Sequence, residues 1–196
     1  MAAFQIRAFL AIAILFLPVI QVRAQSYEDG IAAFEAGDYA VALSHWRQLA
    51  KQGHAEAQYN LGIMHEYARG VGQNDVAASK WYEKAAKQGV AVAQYRLAVL
   101  HEHGWGIPQD SAEAVRWYSK AAAQGHAFAQ HDLAFMYVAG TGVPQNYVQA
   151  YMWLNIAVAQ GNNLMVKHLN HVAKKLTVAQ LKQAHDLARE WTRKHQ

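Results

Sequence analysis

The chain has 196 residues, no cysteine, three prolines, 53% apolar residues and a formal net charge of +4. Alanine fills 38 positions and threonine three, a balance that favours close-packed helices and excludes a β-sandwich or barrel. The apolar content is too high, and the charged fraction of 16% too low, for a disordered chain, and without cysteine there is no thiol nucleophile, thiolate zinc site or disulfide scaffold.

Residues 1–24 differ from the rest. Arg7 is the only early charge, an apolar run extends from Ala8 to Ile20, and Val22-Arg23-Ala24 forms a small-residue cleavage pattern. This predicts a secretory signal peptide over 1–24. The run is shorter than the roughly 18–20 residues that cross a bilayer; retention as an anchor is the alternative. A short bacterial-style signal and the lack of an Asn-x-Ser/Thr sequon predict a periplasmic chain from Gln25 onward. No later stretch is apolar and long enough for an integral membrane segment.

Charge is uneven along that mature chain. Residues 25–161 carry nine basic and twelve acidic side chains, whereas the part from Asn162 onward carries seven basic residues against Asp186 and Glu190. No basic stripe with interleaved aromatics runs through the body, so nucleic acid is not an expected partner. The basic end reads as a solvated cap, or as a contact for acidic partners or the cell envelope.

The body is periodic. Gln52-Gly53, Gln88-Gly89, Gln124-Gly125 and Gln160-Gly161 recur every 36 residues, and eleven positions are identical across 55–90, 91–126 and 127–162. A period of this length marks a helical repeat. Residues 25–54 read as an N-terminal first unit and 163–196 as basic C-terminal capping helices.

Each unit predicts two helices. The first runs from about Ala55 to Tyr67, with Ala57, Leu61, Met64 and Ala68 on one stripe. It ends in Ala68-Arg69-Gly70, Gly104-Trp105-Gly106 or Gly140-Thr141-Gly142, where glycine supplies the left-handed closure, and Asn74, Asp110 and Asn146 are suited to cap the second helix. That helix carries Ala78, Trp81, Tyr82 and Ala85 at i, i+3, i+4 and i+7. The tryptophan recurring at 81, 117 and 153 sits between small residues, which predicts core packing rather than a ligand platform. Thr177 is a plausible N-cap for a last helix.

The pattern A-x-A-Q-x-x-L-G, then G-x-G-V-x-Q-N/D, then A-x-x-W-Y-x-K-A-A-x-Q-G resembles the Sel1-like repeat. In the first full unit it reads Ala55-Glu56-Ala57-Gln58, Leu61-Gly62 and Trp81-Tyr82-Glu83-Lys84-Ala85-Ala86-Lys87-Gln88-Gly89; Leu154 replaces the tyrosine after Trp153. Ala36-Gly37-Asp38-Tyr39 with Ala42 and Trp46 is similar to a tetratricopeptide-type first unit. The resemblance implies an all-α fold: an α/α solenoid of helix-turn-helix repeats, a right-handed superhelix with a concave binding face. It also implies a non-catalytic scaffold or adaptor that binds a protein or peptide.

By analogy with tetratricopeptide solenoids, first-helix residues off the buried stripe would line the concave face. The candidates are Tyr59, Asn60 and Glu66; Tyr95, Arg96, Glu102 and His103; and His131 and Asp132. Tyr59, Tyr95 and His131 form one ladder at repeat spacing; Asn60, Arg96 and Asp132 form a polar ladder beside it. Aromatic area with varied polar chemistry suits a peptide groove. The alternative is an ordinary solvated face.

No metal or cofactor is expected. His101 and His103 point about 200° apart on a helix, His168 and His171 could share a face, and no H-E-x-x-H occurs. His65 and His101 occupy the slot of Tyr137, which suggests partly buried packing. None of the five serines begins S-x-x-K or sits in G-x-S-x-G, so no catalytic residue is expected. A peptidoglycan- or polysaccharide-associated envelope factor is the second functional reading.

Overall fold

The computed structural model of the chain describes residues 26–195; the expected signal peptide over 1–24 lies outside them. Among the described residues the secondary structure is helical, with no strand, and no helix is long and apolar enough to cross a membrane. The chain divides into two compact units, one ending at Asn74 and one beginning at Asp75.

The first unit holds a helix over 26–35 (α1), then α2 (Tyr39–Lys51) and α3 (Ala55–Glu66). The second unit holds α4 (Asp75–Lys87), α5 (Ala91–His103), α6 (Ser111–Ala123), α7 (Ala127–Ala139) and α8 (Tyr147–Ala159). A short 3₁₀ turn, Asn163–Met165, leads into α9 (Val166–Ala173) and α10 (Val178–Lys194). The period is visible in the starts: Tyr39, Asp75, Ser111 and Tyr147 open every second helix at 36-residue intervals.

The expected core stripes are present. Ala57, Leu61 and Met64 are buried, as are the equivalents Ala93, Leu97 and Leu100, and Ala129, Leu133 and Met136. Ala68 departs from its expected place on the stripe. It lies beyond α3 with φ of 55° and is exposed, because the chain has already turned left-handed there. Trp46, Trp117 and Trp153 are buried. Trp81 is only half-buried, with the Lys84 ammonium 4.2 Å from its ring centroid. Asp110 and Asn146 cap α6 and α8 with their side chains.

Two invariant positions join successive helices. Gln58, Gln94 and Gln130 are buried, and each donates from Nε2 to a carbonyl in the last turn of the preceding helix, Ala50, Ala86 or Ala122, at 3.1, 3.1 and 3.2 Å. Gly106 and Gly142 have φ near 70° and press on the start of an earlier second helix. A Cβ on Gly106 would lie 2.3 Å from the Asp75 carbonyl carbon, and one on Gly142 would lie 2.2 Å from the Ser111 oxygen.

The C-terminal segment closes on α8. Ala184 and Ala188 of α10 are buried, Trp191 meets Trp153 edge-on at 6.1 Å, and His185 lies against Tyr151 and Asn155. Thr177 caps α10 in a reciprocal box with Gln180.

Candidate functional site

The residues that the sequence singles out fall on three helices. Tyr59, Asn60 and Glu66 lie half-buried on α3 of the first unit. There Asn60 donates to the Tyr27 hydroxyl at 3.3 Å, and the Tyr27 ring stacks on His54 at 4.8 Å. The remaining candidates lie in the second unit, on α5 and α7.

Helix starts explain how the second-unit cluster forms. The His126 Nδ1 accepts the Ala129 amide at 3.2 Å and so caps α7. This fixes the imidazole beside α5, where the Tyr95 ring stacks on it at 4.6 Å. His54 caps α3 in the same way, whereas Val90, at the equivalent position before α5, makes no side-chain cap.

From Tyr95 a network of contacts spreads in two directions. Its ring lies 5.8 Å from Tyr118 and 6.2 Å from Phe128. Tyr118 donates its hydroxyl to Glu102 Oε2 at 2.6 Å. On the other side stands Asp132, whose Oδ1 is 2.6 Å from His131 Nδ1. His131 packs on Phe135 at 4.5 Å, and His168 of α9 lies 5.6 Å from His131 and 4.9 Å from Phe135. Phe128 and Phe135 remain 62% and 40% exposed, so the network presents apolar aromatic area to solvent over a polar, hydrogen-bonded floor.

The electrostatics follow from this packing. Burial pushes the Tyr95 phenol up to about 12, helped by the charge of Asp132 and a hydrogen bond to it. Burial raises Tyr118 further, and its bond to Glu102 adds to that. Burial lowers His126, and Arg96 works the same way against the opposing charge of Asp132. Near pH 7 the Tyr95 and Tyr118 hydroxyls are therefore neutral and burial favours the neutral His126 ring, while Glu102 and Asp132 bond neighbouring side chains.

The structure therefore brings Tyr95, Glu102, His131 and Asp132 together, with Arg96 close enough to act on Tyr95 and His126. His103 stands apart, its ring tilted against exposed Trp105 at 4.6 Å. Sequence reasoning missed His126 and Tyr118, and weighed His168 only as a metal ligand. For His126 a signal existed: histidine precedes the first helix at positions 54 and 126, two repeats apart. His168 carried none, because only the fold sets α9 beside α7.

Among the described residues no group of three or more His, Asp or Glu side chains is placed to hold a metal ion. His168 and His171 share a helix and are both exposed, and the His168 ring packs on Phe135. His65 and His101 are half-buried, each with an Nδ1 that has no hydrogen-bond partner.

Paired helices on a 36-residue period, tied by buried glutamines and tight glycine turns, define an α/α helical-repeat protein. The Sel1 repeat model matches 24–54, 55–90, 91–126 and 127–162, and the chain belongs to the Sel1 repeat family. It is similar to the crystal structure of a Sel1 repeat protein from Oxalobacter formigenes, with 36% identity, a TM-score of 0.70 and coverage of 73% of this chain and 59% of that one. It is also similar to c5321, a protective antigen of uropathogenic Escherichia coli strains displaying an SLR fold; identity is 28%, the TM-score 0.62, and coverage 88% of this chain and 46% of that one. The chain thus matches about three-fifths of the first structure's length and under half of the second's. No curated protein matches it. Sel1 repeats are commonly non-catalytic scaffolds for protein–protein interaction.

Proposed function

We propose that this chain is a periplasmic, non-catalytic adaptor that binds a protein or peptide on the α5–α7 face, the side that the solenoid analogy makes concave. The observation that carries this reading is the aromatic network of the second unit. Phe128 and Phe135 are exposed, yet neighbouring rings and the capped start of α7 hold them in place. Rigid aromatic side chains lose little entropy on binding and dominate interface energetics. Arg96, Glu102 and Asp132 beside them would set the register of the bound segment, and the signal-like segment 1–24 supports the location. The basic C-terminal end supplies the contact with the cell envelope.

The test is capture from periplasmic extract by the wild-type chain and by Tyr95→Ala/Phe128→Ala and Arg116→Ala variants. A protein partner lost with the first variant and kept with the second supports the reading. Capture unchanged by Tyr95→Ala/Phe128→Ala overturns the assignment of this face. Retention on murein sacculi without a protein partner favours the polysaccharide-associated reading.

A further inference from the structure

Between Asp132 and Asp186 the chain has no acidic residue, yet those 53 positions include four lysines and three histidines. The excess is concentrated on α9. Met165 and Val172 turn inward and are buried, whereas Lys167, His171 and Lys174 follow i, i+4, i+7 spacing on the opposite side and are exposed. Lys175 adjoins them in the turn to α10. On α10, Lys182 and Arg189 bond Asp186 and Lys194 bonds Glu190, while Arg193 acts on Glu190 through charge alone. Among the described residues Lys167, Lys174 and Lys175 have no ion pair.

Two aliphatic side chains flank these lysines. Leu164, just before α9, is 81% exposed, and Val178, at the start of α10, is 88% exposed; they are the most exposed large apolar residues described. A merely solvated cap needs neither. Lys167, Lys174 and Lys175 carry hydrated point charges that suit a diffuse anionic surface better than the paired geometry of a protein carboxylate, which favours arginine. Lysines beside exposed aliphatic side chains suit an interfacial membrane contact.

We propose that this face docks on an anionic lipid leaflet, with Lys167, Lys174 and Lys175 at the phosphate level and Leu164 and Val178 entering the interface. The proposal rests on the envelope contact for its setting, while its chemistry stands on the cap alone. Each lysine near such a surface strengthens partitioning about fivefold, and the gain falls with added salt.

The test is co-sedimentation of the full chain with phosphatidylcholine vesicles and with vesicles containing about one-third phosphatidylglycerol. Matched variants share whatever precedes residue 26, so the differences between them isolate the cap. Lys167→Glu/Lys174→Glu should weaken binding to the anionic vesicles more than about twentyfold. Lys51→Glu/Lys80→Glu, an equal change in net charge at exposed sites elsewhere, should leave binding within about twofold. Leu164→Ala should cost about fivefold on vesicles and nothing on soluble polyanions. Equal binding to both vesicle types, equal loss in both double variants, or binding to murein sacculi in preference to vesicles overturns the proposal. A chain found outside the envelope would overturn the location and leave a positive vesicle result standing.

Discussion

Gln94 Nε2 donates to the Ala86 carbonyl at 3.1 Å, and that carbonyl also accepts the Gly89 amide at 3.0 Å. One oxygen in the last turn of α4 is thus shared by the glycine that ends the helix and by a buried side chain of the next one. Carbonyls in a final turn lack intrahelical donors, so the invariant glutamine and the invariant Gln-Gly pair act on the same atom. Gln94 also accepts from Gln124 at 2.7 Å, whereas the Gln130 Oε1 has no partner. Gln94→Leu should therefore destabilise by about 1–2 kcal/mol. Gln130→Leu should cost less, because it also removes an unpaired buried acceptor. Urea midpoints of the two variants, compared at equal slope, check the order.

Gly142 and Gly53 separate strain from crowding. Both have positive φ, 70° and 91°. A Cβ on Gly53 would meet nothing within 4 Å, whereas one on Gly142 would lie 2.2 Å from the Ser111 oxygen. Gly53→Ala should cost about 1 kcal/mol for the left-handed backbone alone. Gly142→Ala must also push the loop off the start of α6 and should cost about 3 kcal/mol or more. Thermal unfolding of the two variants tests the difference; equal losses would show that the loop moves freely.

Much of this architecture is legible in the sequence, because a repeat presents each packing rule several times. Ala57, Ala93 and Ala129 recur where helices cross, and Asp110 and Asn146 recur where helices begin. Gln58, Gln94 and Gln130 were visible as invariant, but their role was not, since hydrogen bonding to a carbonyl eight residues back needs the turn geometry. Ala68 misled, because helical periodicity continues past the point where the backbone turns left-handed. At the candidate site, Tyr95 and Asp132 were legible as ladder positions. Their contact was not, because it crosses between repeats and depends on the imidazole of His126 standing in the cap.

The His126 cap predicts acid sensitivity. Its Nδ1 must be unprotonated to accept the Ala129 amide, and burial holds its pKa below 6.5. The unfolded chain takes up this proton as pH falls through about 6.5, while the folded chain resists until a lower pH. The contribution is therefore fully present above about pH 6.5 and is lost as pH falls toward the folded value. His126→Asn keeps a capping acceptor without that titration. Its melting temperature should fall less steeply than the wild type's below pH 6.5, with His65, also lowered by burial, sustaining part of the slope. An unchanged slope would place the acid sensitivity elsewhere.

Tyr95 predicts the opposite limb. Its phenol is pushed up to about 12 from 10.0, first by burial and then by Asp132. Above pH 10 an unfolded chain releases this proton and the folded one keeps it, so stability is full below about pH 10 and declines as pH rises toward 12. Tyr95→Phe removes the titrating group and leaves the ring on His126, at the cost of one hydrogen-bond donor to Asp132. The variant should be modestly less stable at pH 8, by about 1 kcal/mol, and should lose stability more gently between pH 10 and 12. Its phenolate absorbance should lack one late-titrating group, while Tyr118, bonded to Glu102 at 2.6 Å, still ionises only with unfolding. If Tyr95 instead titrates with the exposed tyrosines, its ring is not packed between α5 and α7, and the rigid aromatic face proposed for partner binding fails with it.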